Sequence, residues 1–185
     1  DVGWRSWAAT SGLGSSAVMR LATLLVEAAR AAAASGDLSG ALARAKRAAS
    51  LDPTSPDAVL ESHRLEYRLR GGGTPREAQA AIDDLNTVTD TLRPHQVELH
   101  AFLLAEMMDV VQGGGAGMRE LTARHAEIGA APLIALGMAE RLVRAKSYTT
   151  ALPLFQKALE GELHGLRTRT RVLLAAADAA AHAGD

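Results

Sequence analysis

The chain has 185 residues with a net charge of −1, from 20 basic and 21 acidic side chains, and 48% of its residues are hydrophobic. This composition is typical of one folded domain or one short array of repeats. The charge balance gives no electrostatic reason to expect a surface that attracts nucleic acid, so we expect no nucleic-acid partner. No segment approaches the ~20 consecutive apolar residues that cross a bilayer, so we expect no membrane insertion.

Alanine is by far the commonest residue, whereas aromatic residues make up 3% and cysteine is absent. Alanine has the highest helix propensity, and strands favour the β-branched and aromatic residues that are scarce here. The composition therefore predicts an all-α fold without disulfides or thiolate chemistry. Arginine greatly outnumbers lysine, which is typical of high-GC bacterial coding and leaves both the bacterial cytoplasm and the periplasm open.

The segment 1–16 is rich in glycine and serine and is predicted to form a linker that leads into the first helix. Trp4 and Trp7 lie three positions apart there, and we expect them to anchor this segment on the first helical hairpin or on upstream structure. The chain begins without a methionine and ends on a helix-turn signal. We therefore expect it to be part of a longer protein.

The first helix is predicted from about Ser16, and it ends at Ser35-Gly36-Asp37 because glycine adopts the left-handed conformation of a helix C-terminus. Asp37 can cap a second helix, Leu38 to Leu51, which stops at Asp52-Pro53. The first helix is predicted because five apolar residues follow helical spacing: Val18, Leu21, Leu25, Ala28 and Ala32.

The same alternation of helix and turn continues to the end of the chain. Glycine, proline and serine interrupt it at short intervals, which predicts antiparallel helices joined by short turns, that is, helical hairpins. The predicted helices span residues 56–70, 75–91, 95–112, 117–129, 132–146, 148–160 and 165–183.

A sequence pattern recurs at the second helices of these hairpins. The segment Ser35–Leu42, followed by Ala45, Ala48 and Leu51-Asp52-Pro53, closely resembles the second half of a tetratricopeptide repeat (TPR). The segment Lys146–Leu152 with Phe155 repeats the pattern, and a third match begins at Pro75. The separation of Gly36 from Gly184 divides into four units of equal length, each close to the family's period of about 34.

The resemblance implies a right-handed superhelical solenoid of about four TPR-like hairpins plus a final helix, over residues 17–185. The chain lacks the family's large aromatic residues in the first helix, so another alanine-rich helical solenoid remains an alternative. Helices in such hairpins cross at about 8–10 Å, which requires small side chains at the contact. The residues predicted to pack the repeats are Ala29, Ala41, Ala48, Ala78, Ala139, Ala151, Phe155 and Ala158.

The family resemblance also implies a function, since such arrays hold a partner protein or peptide on their concave face. A structural or self-associating spacer that forms homo-oligomers, and a regulatory repeat domain of a larger multidomain protein, remain as alternatives. By the repeat register, the residues predicted to contact the partner are Leu65, Arg68, Phe102, Glu106, Leu136 and Glu140.

No catalytic pattern is found in the sequence. The six histidines are scattered, and none forms the His-Glu-x-x-His spacing of a zinc protease. The glycine runs at 71–73 and 113–115 are not followed by the lysine of a phosphate-binding loop, and no Gly-x-Ser-x-Gly motif occurs. We therefore expect no enzymatic activity, no cofactor and no metal site.

Overall fold

The structure, a computed structural model, describes residues 15–113, 115–129 and 131–184, and Trp4 and Trp7 lie outside these residues. Within the described residues the regular structure is entirely helical, which confirms the predicted all-α class. Nine α-helices follow one another there, with one 3-10 turn at Thr89–Thr91. They are α1 Ser15–Ala34, α2 Leu38–Leu51, α3 Pro56–Arg70, α4 Pro75–Thr87, α5 Pro94–Gln112, α6 Ala116–Ile128, α7 Pro132–Arg144, α8 Tyr148–Ala158 and α9 Arg169–Ala183.

Most predicted boundaries agree closely with the observed helices, and the differences have local causes. α1 begins at Ser15, inside the segment predicted as a linker. α9 begins at Arg169 instead of residue 165, because His164 and Gly165 take positive φ angles of 48° and 67°. A left-handed pair of residues cannot belong to a right-handed helix, so residues 159–168 form a loop.

The turn between α1 and α2 follows the chemistry that the sequence predicts. Gly36 has a φ of 92°, and the amide of Asp37 donates to the carbonyl of Ala32 at 2.9 Å. The amide of Gly36 donates to Ala33, and together these two bonds form a Schellman motif. The Asp37 carboxylate then accepts from the amide of Gly40 at 2.8 Å, which caps the first turn of α2.

The described residues form two compact units, and the first comprises residues 15–69 and 84–91. Its core consists of small side chains on α1 and α2 together with two residues of α3, Ala58 and Leu65. Alanine at the crossing allows the two backbones to approach closely. The buried residues of α1 and α2 are Ala22, Val26, Ala29, Ala41, Leu42, Ala45 and Ala48.

The buried face of α1 coincides only in part with the apolar spacing that predicts the helix. Leu21 is 48% exposed and Ala28 is also exposed, whereas Leu25 and Ala32 pack against the core. The fully buried residues are Ala22, Val26 and Ala29, of which Ala29 was predicted to pack the repeats. Helix α1 has two apolar stripes, and periodicity alone cannot tell which of them is covered.

The second unit comprises residues 70–83 and 92–184. Its closest packing joins α5 to α6, α6 to α7, α5 to α7, α7 to α8 and α8 to α9. These helices are neighbours or next neighbours in sequence, as in a stack of hairpins. Buried residues of α5, α6 and α7 form its core cluster, which consists of Ala101, Ala105, Leu121 and Ile134.

The eight residues assigned to repeat packing are all buried, each with at most 1% of its surface exposed. Seven of them are alanines, and a larger side chain at any of these buried positions would be overpacked. The eighth, Phe155, fills a position on α8 where α2 has Ala45. The residues are Ala29, Ala41, Ala48, Ala78, Ala139, Ala151, Phe155 and Ala158.

Candidate functional site

Three of the residues predicted to contact a partner lie in the core. Leu65, Phe102 and Leu136 are each 0% exposed. Their surfaces are covered by the protein's own side chains, which leaves no area for a partner, and we assign all three to core packing. The repeat register gives the helix and face of each residue, but large apolar side chains on that face are buried in the core of the protein.

The other predicted contact residues are polar and partly accessible. On α3 the guanidinium of Arg68 is half-buried, and burial is the main cause that lowers its pKa, followed by the positive charge of Arg64. On α7 the carboxylate of Glu140 accepts from both Nε and Nη2 of Arg167, at 2.8 and 3.2 Å. Glu140 therefore holds the loop that precedes α9, a structural role.

Glu106 belongs to a charged cluster that joins α5 to α7. Nη2 of Arg141 lies 3.0 Å from the carboxylate of Glu106 and 2.9 Å from that of Asp109. Nη1 of the same guanidinium donates to the carbonyl of Gly137 at 2.9 Å. With 6% of its side chain exposed, Arg141 is a buried cation held by two carboxylates. Burial of such a charge is tolerated only because it is paired.

Gly117 in the first turn of α6 makes room for this cluster. Its amide donates to Oδ1 of Asp109 at 2.8 Å. A β-carbon at Gly117 would collide with the carbonyl oxygen of Ala105 and would lie 2.5 Å from Nη2 of Arg141. Because neither contact is sterically possible without a shift, glycine lets α6 approach α5 closely enough to complete the cluster.

A cavity of about 490 Å³ lies beside the cluster, within the second unit. Apolar side chains from α6 and α7 and backbone of the glycine-rich turn between α5 and α6 form much of its wall. Arg144, 60% exposed, stands at this site with its guanidinium 3.7 Å from Asp109. The lining residues are Asp109, Gly113, Gly115, Met118, Arg141, Leu142, Arg144 and Ala145.

The arrangement is suited to binding. An apolar wall can take up an apolar side chain of a ligand, and a few charged groups fixed by their neighbours can orient it. Arg144 offers a solvent-accessible guanidinium, whereas Arg141 is already engaged by two carboxylates. Across the described part of the chain, no cluster of three or more histidine or acidic side chains could hold a metal ion.

The repeat register selected Glu106, as a partner contact, but not the arginines or the cavity. Arg141 and Asp109 are far apart in the sequence, and only the packing of α5 against α7 brings them together. The one available signal was Gly117, a helix-breaking residue at the predicted start of a helix, which indicates close backbone approach.

No helix among the described residues has both the length and the apolar character needed to span a bilayer. Comparison with protein-family models, with curated proteins and with solved structures finds no match to this chain.

Proposed function

We propose that this chain is a non-enzymatic protein-binding scaffold built from TPR-like hairpins that wind as a right-handed superhelix. The proposal is supported by two hairpins, α1–α2 and α7–α8, which carry buried alanines at matching positions. The two sets of three alanines are related by one constant shift along the chain, which equals about three repeat lengths, as in a repeat array. Ala29, Ala41 and Ala48 of the first hairpin correspond in this order to Ala139, Ala151 and Ala158 of the second.

The cavity beside Arg141 is the proposed binding site, and it is the observation that carries this function. Its volume of about 490 Å³ lies within the range of known ligand sites, about 300–1,000 Å³. The cluster of Glu106, Asp109 and Arg141 fixes the relative positions of α5, α6 and α7 around it. A wall that is held rigid before binding loses less entropy when a partner docks.

The proposed ligand is a peptide segment of a partner protein in which an acidic residue neighbours a large apolar residue. Met118 and Leu142 would contact the apolar side chain, because both line the cavity. Arg144 would pair with the acidic residue, since its side chain is 60% exposed and its guanidinium, 3.7 Å from Asp109, can pair with a second carboxylate.

The experiment selects binding sequences from a displayed peptide library on the purified chain and measures the affinity of the selected peptides by calorimetry. Ala145→Leu fills the cavity from its exposed edge, and Arg144→Glu reverses the accessible charge. We expect each variant to weaken binding by about tenfold or more. Selected peptides should share the acidic–apolar pair.

Two matched control variants separate the site from a general effect on the protein. Ser35→Leu adds the same bulk at the corresponding turn of the α1–α2 hairpin, and Arg171→Glu reverses an exposed charge on α9. Both should leave the affinity unchanged. Peptides that bind equally well to Ala145→Leu and Arg144→Glu would contradict the proposed site.

A further inference from the structure

Helix α1 exposes a second apolar stripe, defined here as Ala17, Leu21, Leu24, Ala28 and Ala31. Leu21 is 48% exposed and Leu24 is 60% exposed, among the largest exposures of apolar side chains in the described residues. The stripe residues follow one another at intervals of four, three, four and three. That is the heptad spacing by which one helix packs along another.

The exposed stripe lies opposite the face that α1 uses in the first unit. Val26 is 3% exposed, and Leu24, two positions earlier, is displaced by about 200° around an α-helix. The helix is therefore apolar on both sides, with one side covered by α2 and α3. An apolar stripe that stays in water is costly, and such surfaces mark contact sites.

The two flanks of the exposed stripe differ in character. One flank carries Arg20 and Glu27, one heptad apart and both exposed. The other flank carries apolar residues at the same interval, Val18, Leu25 and Ala32, all partly exposed. In heptad terms the charged residues occupy g positions and the apolar residues occupy e positions. This asymmetry restricts which helix can pair with the stripe.

We propose that the exposed stripe of α1 pairs with the same stripe of a second copy of this chain, in antiparallel orientation. In an antiparallel pair each flank meets the identical flank of the other copy. Charges then meet charges and apolar residues meet apolar residues. In a parallel pair the charged flank would meet the apolar one, which would leave Arg20 and Glu27 desolvated without partners.

The same stripe also sets the register of the pair. If Leu21 of one copy packs on Leu24 of the other, the two-fold axis of the dimer passes midway between these residues. Ala17 of one copy then faces Ala28 of the other, and small layers of this kind allow close helix approach. Arg20 of one copy lies about one half-turn from the level of Glu27 of the other, within reach of an ion pair. Both ion pairs form together, because the interface is isologous.

The first test measures the mass of the full chain by sedimentation velocity over a concentration series. We expect a concentration-dependent dimer. Leu24→Glu should raise the dimer dissociation constant by about a hundredfold or more, because the dimer contains two copies of this residue. The matched control is Leu174→Glu, which alters a leucine on α9 that is 66% exposed, and it should leave the dimer unchanged.

The second test exchanges the charges. Arg20→Glu alone and Glu27→Arg alone each create two like-charge contacts and should weaken the dimer by about tenfold. The double variant restores opposite charges and should recover the original dissociation constant. In a parallel pair the double variant would not rescue the single ones, so failure of rescue overturns the orientation.

Other results would overturn the proposal as a whole. A chain that stays monomeric at its highest soluble concentration contradicts self-pairing, and so does a dimer that Leu174→Glu disrupts while Leu24→Glu does not. Circular dichroism establishes that each variant is folded, as expected for changes at exposed positions. The self-pairing proposal rests on α1 alone and does not depend on peptide binding. We therefore expect Ala145→Leu to leave the dimer intact.

Discussion

The hairpins α1–α2 and α7–α8 share one turn geometry although their turn residues differ. The amide of Asp37 donates to Ala32 at 2.9 Å, and the amide of Ser147, at the equivalent position of the second hairpin, donates to Leu142 at 2.8 Å. The residue before each donor has a positive φ, 92° at Gly36 and 61° at Lys146. The backbone therefore forms the same Schellman motif whether or not glycine is present.

The two hairpins differ in how that shared geometry is stabilised. The first has glycine at the left-handed position and an aspartate cap, but its core position 45 is an alanine. The second has lysine at the left-handed position and no side-chain cap from Ser147, but Phe155 fills the corresponding core position. We therefore infer that small residues at the helix crossing set the helix separation in both hairpins. We expect local turn chemistry to stabilise the first hairpin and core volume to stabilise the second.

The largest effect should come from removing the core volume of the second hairpin. Phe155→Ala deletes a side chain that is 1% exposed and should lower the free energy of unfolding by about 3–5 kcal/mol. Urea denaturation followed by circular dichroism measures the change. A loss below about 1 kcal/mol would contradict the expectation that core volume stabilises the second hairpin, since α8 would then not depend on its aromatic residue.

The next effect tests the crossing that both hairpins share. Ala41→Leu and Ala151→Leu each insert a side chain at a position that is 0% exposed, and each should cost about 1–3 kcal/mol through overpacking. Equal losses would indicate the same helix separation in the two hairpins. Ala43→Leu is the control on α2, because Ala43 is exposed and its replacement should change stability by no more than about 0.5 kcal/mol.

Much of the fold could be predicted because its signals are local. Gly36 predicts a turn and the adjacent Asp37 predicts a helix cap. Proline is the first residue of α3, α4, α5 and α7. The break between α8 and α9 was predicted at residues 161–164, but the loop spans residues 159–168, because the left-handed residue His164 carries no sequence signal for that conformation. The covered face of α1 was predicted only at Ala29, because Leu21 and Ala22 both belong to helical apolar patterns.

The candidate site was predicted only in part, for a different reason. Glu106 was predicted as a partner contact because the repeat register gives the face of a residue on its helix. Its partner Arg141 lies two helices later, and their distance of 3.0 Å depends on how α5 and α7 pack. Register also cannot distinguish a residue at a helix contact from one at the surface, so Phe102 and Leu136 were assigned to a binding face.

A smaller effect should follow from exchanging the left-handed residues. Lys146→Gly relieves the steric cost of a positive φ and should stabilise the second hairpin by about 1 kcal/mol. Gly36→Ala should destabilise the first hairpin by a similar amount. A β-carbon at Gly36 would meet no atom within 4 Å, so the backbone strain alone is measured. Thermal unfolding shows whether each variant is more or less stable than the parent chain. No change in stability for Lys146→Gly would mean that the turn does not strain lysine.

The smallest effect tests the caps. Asp37→Ala removes the acceptor for the amide of Gly40 and should cost about 1 kcal/mol, whereas Ser147→Ala should cost nothing because Ser147 forms no capping bond.

The two cap residues have similar backbone angles, φ −78° and ψ 73° at Asp37 against φ −90° and ψ 61° at Ser147. An aspartate at position 147 can therefore accept from the amide of Thr150, and Ser147→Asp should gain up to about 1 kcal/mol in urea denaturation. Asp37→Asn serves as the control, because it keeps the acceptor and removes only the charge that faces Arg44 at 3.6 Å. That ion pair is exposed and contributes little, so Asp37→Asn should stay near the parent chain. A loss as large as that of Asp37→Ala would assign the stabilisation to charge, and the two turns would then differ in electrostatics instead of capping.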